Sequence, residues 1–192
     1  MGKVTTLDKL CTFKICNEIL SYSKERTEEN KYPLKGGGKG FKGYTNFTNC
    51  AKNTITITNR GTCGLVDFIS EDFAITKGCV ALENISEEVD VYYLYCFLKA
   101  REPYIKRLGI GCCIKGIREE EIEKLVVAYP NLEEQRRIVT ILNDFSRIIS
   151  SSEEEIERLQ KLHLQMRRTI FKTLLEKTNA YKLIDSLPKK EL

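Results

Sequence analysis

Residues 130–145 read "PNLEEQRRIVTILNDF", and the apolar spacing changes within them. Asn131 stands where a helix N-cap is expected, and Glu134 three residues later completes a capping-box-like start. From there apolar residues recur at alternating steps of three and four: Leu142, Phe145, Ile149, Ile156, Leu159, Met166 and Ile170, with Ser152, His163 and Thr173 on the same stripe. No glycine or proline interrupts residues 132–179. The pattern predicts a heptad helix of about 70 Å at 1.5 Å per residue. A helix that long cannot pack wholly against a domain of about 130 residues, so its stripe should bury on another helix. Ser152 with Glu155 could cap a second helix, but one continuous helix is the expectation. His163, on the stripe, reads as a polar register-setter. The expected dimerisation residues are Leu142, Phe145, Ile149, Ile156, Leu159, His163, Met166 and Ile170.

Upstream the signal is β. "NTITITN" (Asn53–Asn59) alternates threonine and isoleucine with period two, which predicts a half-buried strand. "LVDFI" and "CVALE" are further short strands, and "RGTCG" between the first two strands is a glycine-bounded turn. Asp90 can cap a helix over "VYYLYCFLKARE", which Pro103 ends or kinks. "GIGCCIKGI" predicts a glycine-rich turn or strand, "REEEIEKL" a short helical turn, and "LVVAY" a buried strand. The fold class expected is α+β: a β-rich domain over 1–130, a long coiled-coil helix over 131–178, and a C-terminal tail over 179–192.

The 192 residues are 42% apolar and 30% charged, as in an ordinary globular protein. No apolar run approaches the roughly 18 residues of a membrane span, and "MGKVTTLDKL" has no signal-peptide core. A cytoplasmic protein with no membrane partner is expected. Gly2 and Thr6 formally fit a myristoylation pattern of a kind that recurs by chance. The eight cysteines include no C-x-x-C pair, and His163 is the only histidine. Buried thiols used as small hydrophobes explain the cysteines best, so neither a metal site nor a disulfide framework is expected.

The net charge of +4 is unevenly spread. Residues 31–66 hold Lys31, Lys35, Lys39, Lys42, Lys52 and Arg60, and no acid. Such a block is the electrostatic footprint of a polyanion, or else a solvated face. Within it "YPLKGGGKGFKGYTN" interleaves lysines with glycines, aromatics and amides, which can neutralise phosphate, admit close backbone approach and read base edges. A nucleotide P-loop is excluded, because Gly38-Lys39 is followed by Gly40 rather than Ser or Thr. Gly38-x-Gly40-x-x-Gly43 matches a dinucleotide pattern only in composition, since no βα transition follows.

The order of these features resembles the specificity subunit of type I restriction–modification systems. The similarity runs through "YPLKGGGKG", "TITNRGTCGLVDF", "VYYLYCFLKA", "GIGCCIKGI" and "LVVAYPNLEEQRRIVTILNDF". The family's Pro-x-Leu-x-Glu-Gln-x-x-Ile signature is met by Pro130, Leu132, Glu134, Gln135 and Ile138. The resemblance implies a target recognition domain that reads a short half-site on double-stranded DNA. It further implies no catalysis and no cofactor of its own, methyltransferase subunits as partners, and restriction subunits as further ones. Family members pair two conserved helices antiparallel. This chain, with one recognition domain and one helix, is then expected to form a homodimer on a bipartite inverted-repeat site. The absence of an N-P-P-Y-type methyltransferase motif, and of any histidine before His163, agrees with a non-catalytic role. Candidate DNA-binding residues are Lys35, Lys39, Lys42, Tyr44, Asn46, Arg60, Thr62 and Lys115. Cys112 and Cys113 stand where the family carries small polar residues, which leaves Lys115 as the better contact in that segment. An orphan DNA-binding module with no modification partner, or a structural coiled coil with an incidental basic patch, would share these features.

Overall fold

A computed structural model describes residues 2–18, 21–111 and 114–177 of the chain. The features assigned to Cys112, Cys113 and the tail 179–192 lie outside the described residues. The chain divides into two compact units, the first ending at Thr140 and the second beginning at Ile141.

The first unit is built on a four-stranded antiparallel sheet in the order β2 (Thr12–Ile15), β8 (Cys79–Glu83), β5 (Thr54–Thr58), β6 (Val66–Ile69). A three-stranded sheet places β3 (Tyr32–Lys35) between β4 (Gly43–Thr45), antiparallel, and β7 (Ala74–Ile75), parallel. A two-stranded sheet pairs β1 (Lys3–Thr6) with β9 (Val126–Tyr129). Three short helices, α1 (Val91–Ala100), α2 (Glu102–Arg107) and α3 (Glu119–Glu123), complete the unit. Asp90 caps α1 by accepting from the Tyr93 amide at 2.9 Å. Pro103 falls in the first turn of α2, where its missing N–H costs nothing.

The larger strands are buried on both faces. Ile55, Ile57, Val66, Val80 and Leu82 point to a core shared with Leu94, Leu98, Ile105, Ile122 and Val127. Ile69, Cys79 and Ala81 point the other way, onto Phe73, Ile75 and Cys50. This corrects the sequence reading of "TITIT" as half-buried. β5 is an inner strand with a layer on each side, so Thr54, Thr56 and Thr58 are buried as well. "LVVAY" errs in the opposite direction. β9 pairs only with β1, and Val126 and Ala128 are exposed while Val127 and Tyr129 are buried.

α4 runs unbroken over Leu132–Lys177. Asn131 Oδ1 accepts from the Glu134 amide at 2.9 Å, the expected cap. Gln135 is fully buried. Its Nε2 donates to the carbonyls of Glu88 (2.9 Å) and Pro130 (2.8 Å), and its Oε1 accepts from the Asp90 amide at 2.8 Å. One side chain therefore joins the starts of α1 and α4, while Ile138 and Val139 pack on the core. In the second unit the helix exposes Leu142, Phe145, Ile149, Ile156, Leu159, Met166 and Ile170, each 40–60% accessible. No helix among the described residues is long and apolar enough to cross a membrane.

Candidate nucleic-acid interface

Four segments distant in sequence meet through their backbones. The loop after β3 carries Gly37, whose carbonyl accepts from the Thr62 amide at 2.9 Å. Gly61 N–H donates to the Lys115 carbonyl (3.1 Å), and Ile117 N–H to the Asn59 carbonyl (2.8 Å). The amides of Asn59 and Arg60 both point at the Gly78 carbonyl, at 3.0 and 3.4 Å. Approach is so close that a Cβ on Gly37 would stand 2.1 Å from the Arg60 carbonyl oxygen. Gly61, at φ +81, faces Gly37 from the other side. Only glycine allows both the contact and the angle.

These loops carry exposed cations. Lys39, Lys42, Arg60, Thr62 and Lys115 are all exposed, on loops bonded to one another. Lys42 is oriented by a neighbour, its ammonium lying 4.8 Å from the centre of the Tyr22 ring. An open groove of about 630 Å³ runs beside Arg60, lined also by Asn17, Asn59, Lys77, Ile114 and Arg118. Clustered cations with amide side chains between them can neutralise phosphate and exchange hydrogen bonds with base edges. Among the described residues no group of three or more His, Cys, Asp or Glu is placed to hold a metal ion. The thiols of Cys11 and Cys79 are pushed up by burial to about 12, which keeps them protonated and inert.

Two further residues expected at this surface, Tyr44 and Asn46, stand on or just after β4. Tyr44 is half-buried on β4 with the Arg26 guanidinium 5.7 Å from its ring centre, and exposed Asn46 follows that strand. Neither is among the residues that join the loops.

Lys35 requires a correction. It is 1% accessible and is no surface contact. Its ammonium donates to the carbonyls of Gly38 (3.2 Å) and Gly40 (3.0 Å) and lies 2.6 Å from Asp67 Oδ2, an ion pair by distance rather than a well-aligned hydrogen bond. A charge run says nothing about which lysine faces inward, and the counter-ion is the first acid after the basic block, 32 positions on.

Tyr22, Lys77 and Arg118 escape a reading of the sequence. A signal for Lys77 is nonetheless present. Six of the 12 glycines directly follow a lysine or arginine, at Lys35, Lys39, Lys42, Arg60, Lys77 and Lys115. Five of those cations are exposed, and the sixth is the buried Lys35. Arg118 is tied at 3.0 Å to Glu121 and carries no comparable pattern.

The profile of the family described as type I restriction modification DNA specificity domain matches residues 3–161. A provisionally named type I specificity subunit of Mycoplasma pneumoniae is 31% identical over 145 residues, covering 74% of this chain and 39% of its own length. The type I restriction enzyme MjaVIII specificity subunit of Methanocaldococcus jannaschii is 30% identical over 104 residues, 54% of this chain and 24% of that one. The crystal structure of a type I restriction–modification S subunit from M. genitalium superposes with a TM-score of 0.69 at 26% identity, over 77% of this chain and 39% of that one. The chain thus spans about two fifths of the length of the first of these relatives. With residues 3–161 matched, from the β-rich unit into the long helix, the chain belongs to the family of type I restriction modification DNA specificity domains.

Proposed function

We propose that the chain recognises double-stranded DNA as the specificity element of a type I restriction–modification assembly, and does so as a homodimer. The observation that carries the DNA reading is the meeting of three glycine-bearing loops that present Lys39, Lys42, Arg60 and Lys115 together. The chain's own part is recognition. Chemistry on the DNA belongs to methyltransferase subunits and to restriction subunits that assemble with it.

The helix supports self-pairing. Its apolar stripe is exposed over several heptads, and its charges are segregated. Between 144 and 157 stand Asp144, Glu153, Glu154, Glu155 and Glu157 against Arg147 alone. Between 158 and 172 stand Arg158, Lys161, Arg167, Arg168 and Lys172, with no acid. An antiparallel pair lays acid on base, whereas a parallel pair lays like on like. In the antiparallel register centred between Glu157 and Arg158, Ile156 meets Leu159, Ile149 meets Met166, Phe145 meets Ile170, and Ser152 meets His163. A shift of one heptad either way sets Ser152 and His163 against apolar partners, so the polar layer selects the register.

A two-fold dimer presents one recognition surface twice in opposite orientations, so its target is two inverted copies of a short half-site. Selection of bound sequences from random duplexes should return such a repeat with an unread spacer of fixed length. A single asymmetric site would defeat the dimeric reading. Co-purification of a methyltransferase subunit is the expected companion result, and its absence from the native host would favour an orphan module.

A further inference from the structure

Lys35 draws the carbonyls of Gly38 and Gly40 inward. A trans peptide is planar, with its N–H opposite its C=O. The N–H groups of Lys39 and Phe41 therefore point away from the buried ammonium, on a stretch where residues 38–41 are all exposed. Neither amide has an acceptor among the described residues. The glycines here differ in what they need. Gly40 adopts φ +70 and would be strained as any other residue. Gly38 has no positive φ, and an added Cβ there would meet nothing within 4 Å. Nothing inside the protein calls for glycine at 38, so its missing side chain leaves room on the outer face.

We propose that Gly38–Phe41 is a backbone cradle for a phosphate group, with the Lys39 and Phe41 amides as donors, the Lys39 and Lys42 ammonium groups beside them, and Lys35 as the internal residue that shapes it. Outward amides flanked by cations are the general form of an anion-binding concavity. On the DNA reading above, on which the identity of the ligand rests, the phosphate belongs to the duplex backbone. Lys35 is a positioning residue that acts through the loop and touches no ligand.

The test is amide NMR on the full chain with two probes, a mixed-sequence duplex and inorganic phosphate, together with duplex affinities of variants. The duplex should shift the Lys39 and Phe41 amides most. Phosphate shifting the same two amides marks a general phosphate seat, and shifts with duplex alone mark the duplex backbone as the source. Gly38→Ala should keep or raise the melting temperature and lower duplex affinity about tenfold, the effect of crowding one charge-assisted contact. Lys35→Met should weaken duplex binding in the wild type and add little in a Gly38→Ala background, where the seat is already crowded. If Lys35→Met fails to fold, Gly38→Ala decides alone, since no protein atom contacts the added methyl. Unmoved Lys39 and Phe41 amides with both probes, unchanged affinity of Gly38→Ala, or a full additive loss from Lys35→Met would overturn the cradle. Unchanged duplex binding by Lys39→Ala/Lys42→Ala would defeat the DNA reading instead, and the phosphate titration would still judge the cradle.

Discussion

The two units dispose of similar apolar side chains in opposite ways. In the β-rich unit Leu94, Ile55, Ile57 and Ile122 are fully buried, while a few large side chains, Ile110 and Ile114 among them, stay exposed beside the basic loops. On the helix beyond Thr140, Phe145 is 60% accessible and Ile156 54%. The first unit is complete as a fold and offers loops to a ligand. The second exposes its stripe along a regular helix, and on the proposed reading that stripe is buried in a helix pair. On the proposed reading recognition lies with the first unit and assembly with the second, and substitutions should divide along the same line.

The largest effect is expected on the helix. Ile156→Glu with Leu159→Glu sets four carboxylates at the centre of the proposed pair, where four large side chains would each lose about 1.5–3 kcal/mol of burial. The dissociation constant should rise by at least about 1000-fold, read by sedimentation, while the first unit melts as before. If the chain is monomeric at micromolar concentration before any substitution, with no partner present, the helix pairs with something other than its copy.

Gln135 is the point where the contrast is sharpest, because it belongs to the helix and is spent on the first unit. Gln135→Leu leaves the Asp90 amide and the Glu88 and Pro130 carbonyls without their partner. It should cost about 2–4 kcal/mol in denaturant unfolding of the first unit. A cost near zero would mean that the family's glutamine serves no structural tie here.

Smaller still is the pH response of the first unit. Burial acts to raise the Glu102 carboxyl, but hydrogen bonds from Lys106, Lys99 and the Val66 amide override it and hold the group at about 2, from a usual value of 4.5. A depressed carboxyl contributes stability above its unfolded pKa and loses it as pH falls. The first unit should therefore weaken between about pH 4.5 and pH 2. In Glu102→Gln, at a cost of about 1–2 kcal/mol at neutral pH after allowance for solvent screening, that slope should flatten. A slope kept in full by the variant would place the acid response elsewhere.

A change of length alters geometry with little change in energy. One heptad inserted near Glu155 keeps the stripe in phase and lengthens each helix by about 10 Å. If paired helices set the distance between recognition surfaces, the preferred spacer grows by about three base pairs at 3.4 Å each. An unchanged spacer would show that the helix is not the ruler.

What the sequence made legible follows the range of the interactions involved. The helix after Asn131 and its cap are local, set by spacing and by a side chain three residues from the amide that donates to it, and both stand as read. Strand positions were legible and their burial was not. Whether "TITIT" is covered on one face or two depends on β2, β6 and β8 around it, and whether "VVAY" is depends on having β1 alone. The basic block falls on loops that the fold brings together, but the fate of each lysine is a long-range matter. Lys35 and Lys39 are four residues apart and alike in composition, yet an acid at 67 and two inward carbonyls make one internal while the other faces solvent. Lys77 reaches the groove from beyond the block because Gly78 packs on Asn59 and Arg60.

On the proposed reading the exposed cations of these loops contact phosphates on duplex DNA. Its most direct test is duplex affinity measured against salt for the wild-type chain and for Lys39→Ala/Lys42→Ala. Each phosphate contact contributes about 0.9 to the slope of log affinity on log salt. The double variant should bind every duplex more weakly, with a slope shallower by up to about two. Equal slopes and equal affinities would mean that Lys39 and Lys42 touch no phosphate.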